Sequence, residues 1–491
     1  MKTVRSLLFV LVIVAMLLSA CSPSTPAATE PPAATEPAEV ESPEETEAPV
    51  EEPVEAPTEE TAAEETEAPA VEEPTAETGE EPAAGELTCA EPIKVGMITD
   101  VSGALASYGV MVLRSFMLGM EYLAGAPGSA GEVFSIDMRE NTFQVGGCEI
   151  QIFVADDKSV AETTATVARE LIEVEQVDIL VGTVSSASTA TLQGLAQENQ
   201  IPLIVVPAAA NDITGVSFNE YTFRVSRNNY QDAINVCEYL ANQYDGFVQI
   251  APDNIFGQGG ATAFRDACTF YGAEFVTDDI FAPLETTDFT PYMEQIADSG
   301  AEAWIVTWSG GGFVPMFQAA KDLGVTDSMA MGTAFIDNAL MPAVYANAIG
   351  QTSGIFYHYS LPDNPLNEWL TEQVKGRYGV PPDLFDADGM NGALLLYEAL
   401  LATGGDPGAP AMIEAMEGIE FEGPKGLVRI RPEDHVAIQD MYIVTLLNLD
   451  DPEFRYYELV EVNRPEPPCL LPENLRDRCG DLPYGSLSGA E

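Results

Sequence analysis

An α/β protein of two doubly wound lobes is what the sequence predicts, and three observations lead there. From Ile93 onward, short apolar runs alternate with stretches of helical spacing, and the runs are rich in Ile and Val and bounded by Gly, Pro or charge, as buried parallel strands are. The alternation begins a second time near Gly246. The chain's 491 residues are enough for two or three domains, each with a sizeable core of its own.

The first series places strands at Ile93 to Thr99, Ile150 to Val154, Asp178 to Gly182 and Leu203 to Val206, with helices over Tyr108 to Leu123 and Val160 to Val174. The second places strands at Phe247 to Ala251, Ala303 to Thr307 and Met329 to Gly332, with helices near Ala261 to Tyr271 and Phe313 to Leu323. A further helix runs from about Ala387 to Ala402. Each series is one Rossmann-like lobe. Ligands of open parallel sheets sit beyond the carboxyl ends of the strands, so the loops after these strands are where function is to be sought.

Before the lobes, the chain reads as an address and a spacer. Lys2 and Arg5 precede an apolar run from Leu7 to Leu18, too short to span a bilayer comfortably, so residues 1–20 read as a signal peptide. Leu18-Ser19-Ala20-Cys21 resembles the lipobox of bacterial lipoproteins, which implies lipidation of Cys21 and a chain tethered to the outer face of the cell membrane. Ser22 to Thr88 holds 21 Glu and 12 Pro with no Lys, Arg, Asp, Phe, Tyr or Trp. Such a segment buries too little apolar surface to offset chain entropy, so 21–88 is expected to be a disordered tether. No second apolar stretch reaches membrane-spanning length.

The formal charge is −59, from 79 acidic and 20 basic side chains; without the tether's Glu residues, Lys2 and Arg5, 58 and 18 remain, a net −40. So strong an acidic excess repels phosphate and excludes nucleic acid and bare anionic lipid as partners. It excludes no small ligand. Six Cys remain after Cys21, an even number in an exported chain. Cys89 and Cys148 each precede a strand of the first series, Cys237 and Cys268 fall on successive amphipathic helices, and Cys469 and Cys479 close a loop in the Pro-rich tail 464–491; these three pairs are the expected disulfides among fifteen connectivities.

Three strand ends of the first series carry polar or small groups. Asp100 to Gly109 is a Gly-containing loop ending in the ring of Tyr108, Thr183 to Thr189 offers Ser185 or Ser186 as an N-cap at a helix end that favours an anion, and Val206 to Asp212 includes Ala208 and Ala209, small enough for close approach to the backbone. In the second series, Asp253 to Gly259 contributes Phe256 and Trp308 to Gly312 contributes Trp308, two apolar walls facing the first lobe. No GxGxxG or GxxxxGK[ST] is present, no CxxC or His/Cys cluster points to a metal, and His358 and His435 stand in no catalytic arrangement, so neither cofactor nor catalysis is expected. Asp156-Asp157 reads as a strand-end turn and His435 as a structural turn residue.

Taken in order, Ile98-Thr99-Asp100-Val101-Ser102-Gly103 with Tyr108-Gly109, Val181-Gly182 with Ser185-Ser186, Ile201-Pro202-Leu203 leading into Pro207-Ala208-Ala209, Tyr221-Thr222-Phe223-Arg224, Phe256-Gly257 and Gly426 to Ile430 resemble the Leu/Ile/Val-binding family of substrate-binding proteins for ABC importers, a branch of the type I periplasmic binding proteins. The resemblance implies two lobes joined by a three-segment hinge, 92–226 with 357–430 and 227–356 with 436–463, closing on a small amino acid, amide or carboxylate that is handed to permease subunits. A sensory protein that reports occupancy to a membrane receptor is the alternative. It also implies that Ser186 and the backbone around Ala208 hold a ligand carboxylate, that Tyr108 lines the pocket, and that Phe256, Trp308 and Phe385 stand at pocket-lining positions. Two positions depart from the family's amino-acid binders: Ala210 stands where they carry a Thr, and Ala334 where they carry the Glu that pairs with the ligand ammonium. Asp337 and Asp386 are the nearest acids to compensate, and a ligand without an ammonium is the other outcome.

Overall fold

The computed structural model describes residues 87–129, 139–333 and 336–489; the leader, Cys21, the tether as far as residue 86 and Ala334 lie outside them. Two parallel sheets organise what is described. The first holds β1 (Ile93–Thr99), β2 (Glu140–Val145), β3 (Cys148–Asp156), β4 (Ile179–Gly182), β5 (Leu203–Val205) and β6 (Thr222–Arg224), in the order β2-β3-β1-β4-β5-β6. All neighbours run parallel except β2, a hairpin partner of β3 through Gly146, which turns at φ +58°. The second holds β7 (Gly246–Pro252), β8 (Glu274–Phe275), β9 (Ile280–Ala282), β10 (Ala303–Val306) and β11 (Ala330–Gly332), with β10 and β11 to one side of β7 and β8 and β9 to the other. In each sheet the strand order reverses at the middle, beside β1 and beside β7, and a crevice opens there at the carboxyl ends.

Two antiparallel sheets complete the fold: β12 (Thr352–Ile355) with β16 (Met441–Leu446) and β17 (Tyr457–Asn463), and β13 (Glu420–Gly423) with β14 (Gly426–Ile430) and β15 (Ala437–Ile438). The helices Ala106–Leu123 and Asp386–Ala402 pack on one another beside the first sheet, and Asn229–Leu240 packs on Ile255–Phe270 and on β12 beside the second. The chain therefore passes between lobes three times, at 225–228, 356–364 and 431–440. These passes are the three hinge segments that the resemblance implied.

Glycines set several of these packings. A Cβ on Gly257 would stand 2.0 Å from the Pro252 carbonyl oxygen and one on Gly260 2.6 Å from Thr307 Cγ2, so the helix Ile255–Phe270 can lie against its own strand only with hydrogen there. That corrects the expectation of a loop over Asp253 to Gly259. The helix starts at Ile255 behind an Asn254 N-cap, and its glycines are packing residues rather than breakers. The tether boundary also moves. Leu87 is 2% exposed, its carbonyl accepts the Gly147 N–H at 2.7 Å, and Thr88 bridges Gly147, because an apolar side chain at the end of the acidic run covers the β2–β3 hairpin.

The three disulfides join Cys89 to Cys148, Cys237 to Cys268 and Cys469 to Cys479, the expected pairs. The last closes the tail, which is folded down over the lobes. Cys469 and Leu471 are buried, the Pro465 and Pro467 carbonyls accept from Gln231 and Arg431, the Leu487 N–H donates to Asp266, and Arg478 binds Glu417 and the Pro432 and Glu433 carbonyls. Replacing both Cys469 and Cys479 with Ser removes a short-loop constraint worth about 2–3 kcal/mol. Trypsin cleavage after Arg476 or Arg478 is then expected to accelerate tenfold or more, followed by mass spectrometry, and an unchanged rate would show that the tail holds without the bridge.

Candidate functional site

The carboxyl ends of β1, β4 and β5 face those of β7, β10 and β11 across a cavity of about 160 Å³. That is close to the ~150 Å³ that encloses one benzene ring in an apolar core. Tyr108, Ser185, Ser186, Ala209, Phe256, Trp308 and Phe385 all line it, brought together from segments far apart in the chain. Ala208 does not: it is 2% exposed and packs into the core under the loop. The reason is its carbonyl, which turns away from the cavity to accept from Arg224.

The floor is built from the first lobe. Ser185 is the N-cap of the helix Ser186–Asn199 and accepts the Ser188 N–H at 3.4 Å, so the helix presents its positive end to the cavity. Ser186 Oγ accepts the Ala210 N–H at 3.2 Å, which leaves its own O–H proton available for a ligand. Ala210 is fully buried and is not among the lining residues, so a Thr there would point into the core of this chain rather than into the cavity. Arg224, fully buried, donates to the Ala208 carbonyl, to the Ala210 carbonyl at 2.6 Å and to Thr214 Oγ at 3.3 Å.

Aromatic rings form the walls. Tyr108 meets Phe385 edge to face at 5.1 Å, Phe385 stacks on Phe356 at 5.2 Å, and Phe289 supports Trp308 at 5.2 Å. Trp308 also excludes any side chain at Gly312, where a Cβ would stand 2.2 Å from its Nε1. Sequence reasoning missed Arg227, Asp232, Asn229 and Phe356, which also line the cavity. The visible signal was Arg227 itself, a second Arg three residues past Arg224 between a buried strand and a buried helix.

Neither acid named as a substitute for the absent Glu lines the cavity. Asp386 is fully buried in a two-pronged pair with Arg114, its Oδ1 at 2.7 Å from Nε, and Asp337 accepts the Leu340 N–H at 3.2 Å. The acids at the strand end, Asp156 and Asp157, are also structural. Asp156 accepts the Val101, Ser102 and Lys158 N–H groups, and Asp157 the hydroxyls of Thr164 and Thr183. His435 stacks on Phe223 at 3.8 Å and joins Thr222 O to Glu417, a fixed part of the third crossing. Among the described residues no group of three or more His, Cys, Asp or Glu could hold a metal.

Three comparisons bear on this site. A family model described as "Periplasmic binding protein" matches residues 92–450. A protein from Brucella melitensis named Leu/Ile/Val-binding protein homolog 6 is 27% identical over 378 residues, 75% of this chain and 91% of that protein. Among solved structures, an ABC-type branched-chain amino acid transporter from Rhodopseudomonas palustris superposes with a TM-score of 0.63 at 30% identity, over 76% of this chain and 96% of that one. An ABC transporter substrate-binding protein from Sphaerobacter thermophilus superposes with a TM-score of 0.67 at 26% identity, over 76% and 98%.

Beside the lining residue Leu384, in the loop before Asp386–Ala402, the buried Asp383 accepts the Leu384 N–H at 2.9 Å and, from the loop after β11, the Asn338 N–H at 2.9 Å. Burial first, and then the Asp337 carboxylate beside it, push its carboxyl up to about 7. A carboxyl raised in the folded state makes the fold less stable as pH rises from about 4 through 7. Asp383→Asn removes the charge at the cost of one of the two acceptors, so whatever the offset at pH 5, its Tm relative to wild type is expected to rise by about 2–4 °C between pH 5 and pH 8. Differential scanning calorimetry at the two pH values checks this, and a pH-independent difference would contradict it.

Proposed function

The chain belongs to the periplasmic binding protein family, as the match over residues 92–450 shows, and we propose that it is a lipid-anchored, extracytoplasmic solute-binding protein of an ABC importer that captures an amino acid or a related small carboxylate or amide and hands it to the permease. The observation that carries this reading is a cavity whose floor comes from one lobe and whose opposite wall comes from the other. A ligand there touches both lobes at once, so its binding energy favours the closed arrangement over an open one. Ser185 and Ser186 lie at the cavity with no His among the lining residues, an arrangement suited to holding an anion rather than to nucleophilic attack.

The anchor rests on Leu18-Ser19-Ala20-Cys21 followed by the acidic run of Ser22 to Thr88, which would hold the lobes off the membrane by its own charge repulsion. Two outcomes are expected. Small molecules released by denaturing the isolated protein, identified by mass spectrometry and added back after refolding, will raise Tm with concentration and reduce the radius of gyration in solution scattering. Chemical turnover of such a molecule would reject the binding-protein reading. Separately, the wild-type chain is expected to incorporate a fatty-acid label that Cys21→Ser abolishes, read by mass spectrometry or in-gel detection; a wild-type chain that takes up no label would reject the lipid anchor.

A further inference from the structure

We propose that Arg227 is the anchor for a ligand carboxylate and that this pocket selects small monocarboxylates, aromatic or branched, that carry no ammonium. The inference rests on the binding-protein reading and narrows it to a ligand class. Arg227 lines the cavity at 6% exposure, with its guanidinium 4.3 Å over the Phe356 ring and 5.5 Å over that of Phe385. Of its five N–H donors, one is used in a hydrogen bond among the described residues, Nη1 to the Pro207 carbonyl at 3.1 Å. Asp232 lies 3.4 Å from Nε, yet both Nε and Asp232 Oδ1 are buried without a hydrogen-bond partner. The two rings hold the plane of the fork and the carbonyl holds one corner, so the remaining donors are oriented before a ligand arrives. That arrangement matches a planar carboxylate.

The charge count agrees. Among the described lining residues only Arg227 and Asp232 are charged, and behind them stand Arg224, Lys425 and Asp388, all nearly or fully buried. Asp434 and Asp440 also act on Arg224 and Lys425, but each is paired with an Arg of its own, Arg431 and Arg464, so these three cations are left with two acids, and Lys425 Nζ and Asp388 Oδ2 have no hydrogen-bond partner. Burial pushes the Asp388 carboxyl up to about 6 and the Lys425 ammonium down to about 8, so both keep their charge near pH 7. A carboxylate completes this cluster. An ammonium would enter a region with no spare negative charge, since the charge of Asp232, the one lining carboxylate, is balanced by Arg227 at 3.4 Å even though its Oδ1 makes no hydrogen bond. The positive end of the Ser186–Asn199 helix and the Ser186 hydroxyl add to the preference for an anion, while Tyr108, Phe256 and Trp308 enclose the apolar body.

The test uses the whole chain, stripped of ligand by denaturation and refolding, with 4-methylpentanoate, benzoate, leucine and 4-methylpentanamide as calorimetric probes. Leucine differs from 4-methylpentanoate only by the ammonium. Wild type is expected to bind at least one of the two carboxylates tenfold or more tightly than leucine, and Arg227→Gln to lose at least tenfold for the carboxylate while amide binding changes less. Because Arg227→Gln leaves Asp232 without its counter-ion, the double variant Arg227→Gln/Asp232→Asn, with its unliganded Tm measured, repeats the comparison in a neutral pocket. Leucine binding as tightly as the better-bound of the two carboxylates, or a double variant that holds that carboxylate with unchanged affinity, overturns the inference and leaves the binding-protein reading intact. Failure of both carboxylates to bind overturns the ligand class, whereas the binding-protein reading is decided independently by the molecules released from the isolated protein.

Discussion

The guanidinium of Arg224 is the interaction on which the site depends. It is fully buried and faces no carboxylate among its hydrogen-bond partners; instead it draws together the Ala208 and Ala210 carbonyls and the Thr214 hydroxyl. Burial and the neighbouring Arg227 lower its pKa to about 9, still high enough to keep the charge at neutral pH. Charge-assisted bonds to carbonyls offset the desolvation of the ion, and truncation would leave those carbonyls without donors. Because both Ala carbonyls turn down toward Arg224, the Ala210 N–H turns toward Ser186 and Ala209 faces the cavity. The floor of the pocket is thus shaped by a residue that the ligand never reaches.

The lobes were legible because buried parallel strands leave a strong trace. Ile93–Thr99 was bounded to the residue, and Leu203 to Val206 and Ala303 to Thr307 were each long by one, since apolar runs with Gly or charge at their ends have few other uses. The short antiparallel strands β12 to β17 left less. Tyr457–Asn463 is mostly exposed, and its sequence carries no continuous apolar run to reveal it. At the site, the small and hydroxyl residues after β4 and β5 could be read from the sequence, because their chemistry is local. Arg227 left only its own charge as a signal, and Asp232 and Phe356 left none, because what makes them lining residues is where the first and second crossings and the helix Asn229–Leu240 pass behind the cleft. Gly257 misled for the same reason: its demand for space comes from Pro252 at the end of β7, and a sequence shows only the glycine.

A net charge of −40 on residues 89–491 and a pocket that favours an anion are compatible because the two charges act at different depths. Exposed carboxylates interact with an approaching ion through water and salt, and their field fades over about 8–10 Å. Arg227 and Lys425, by contrast, are buried at 6% and 2% exposure, in a medium where water screens little. Surface charge therefore governs solubility and the slow approach of large polyanions, while the few buried cations govern what stays bound. The acidic tether adds to the first effect without touching the second.

The tail restricts how the lobes can move about that pocket. Its Pro465 and Pro467 carbonyls accept from Gln231 and Arg431, which flank the first and third crossings, so the tail is fastened at the pivot rather than at the rim. Farther along, Arg478 holds Glu417 near the first lobe while the Leu487 N–H holds Asp266 on a second-lobe helix. A rotation that opened the cleft widely would separate Glu417 from Asp266 unless its axis ran close to the tail, where displacement per degree is smallest. The tail thus ties the two lobes together beside the first and third crossings, and Arg227, which sits in the first of them, lines the cavity close to that tie while Phe256 and Trp308 line it from the other lobe.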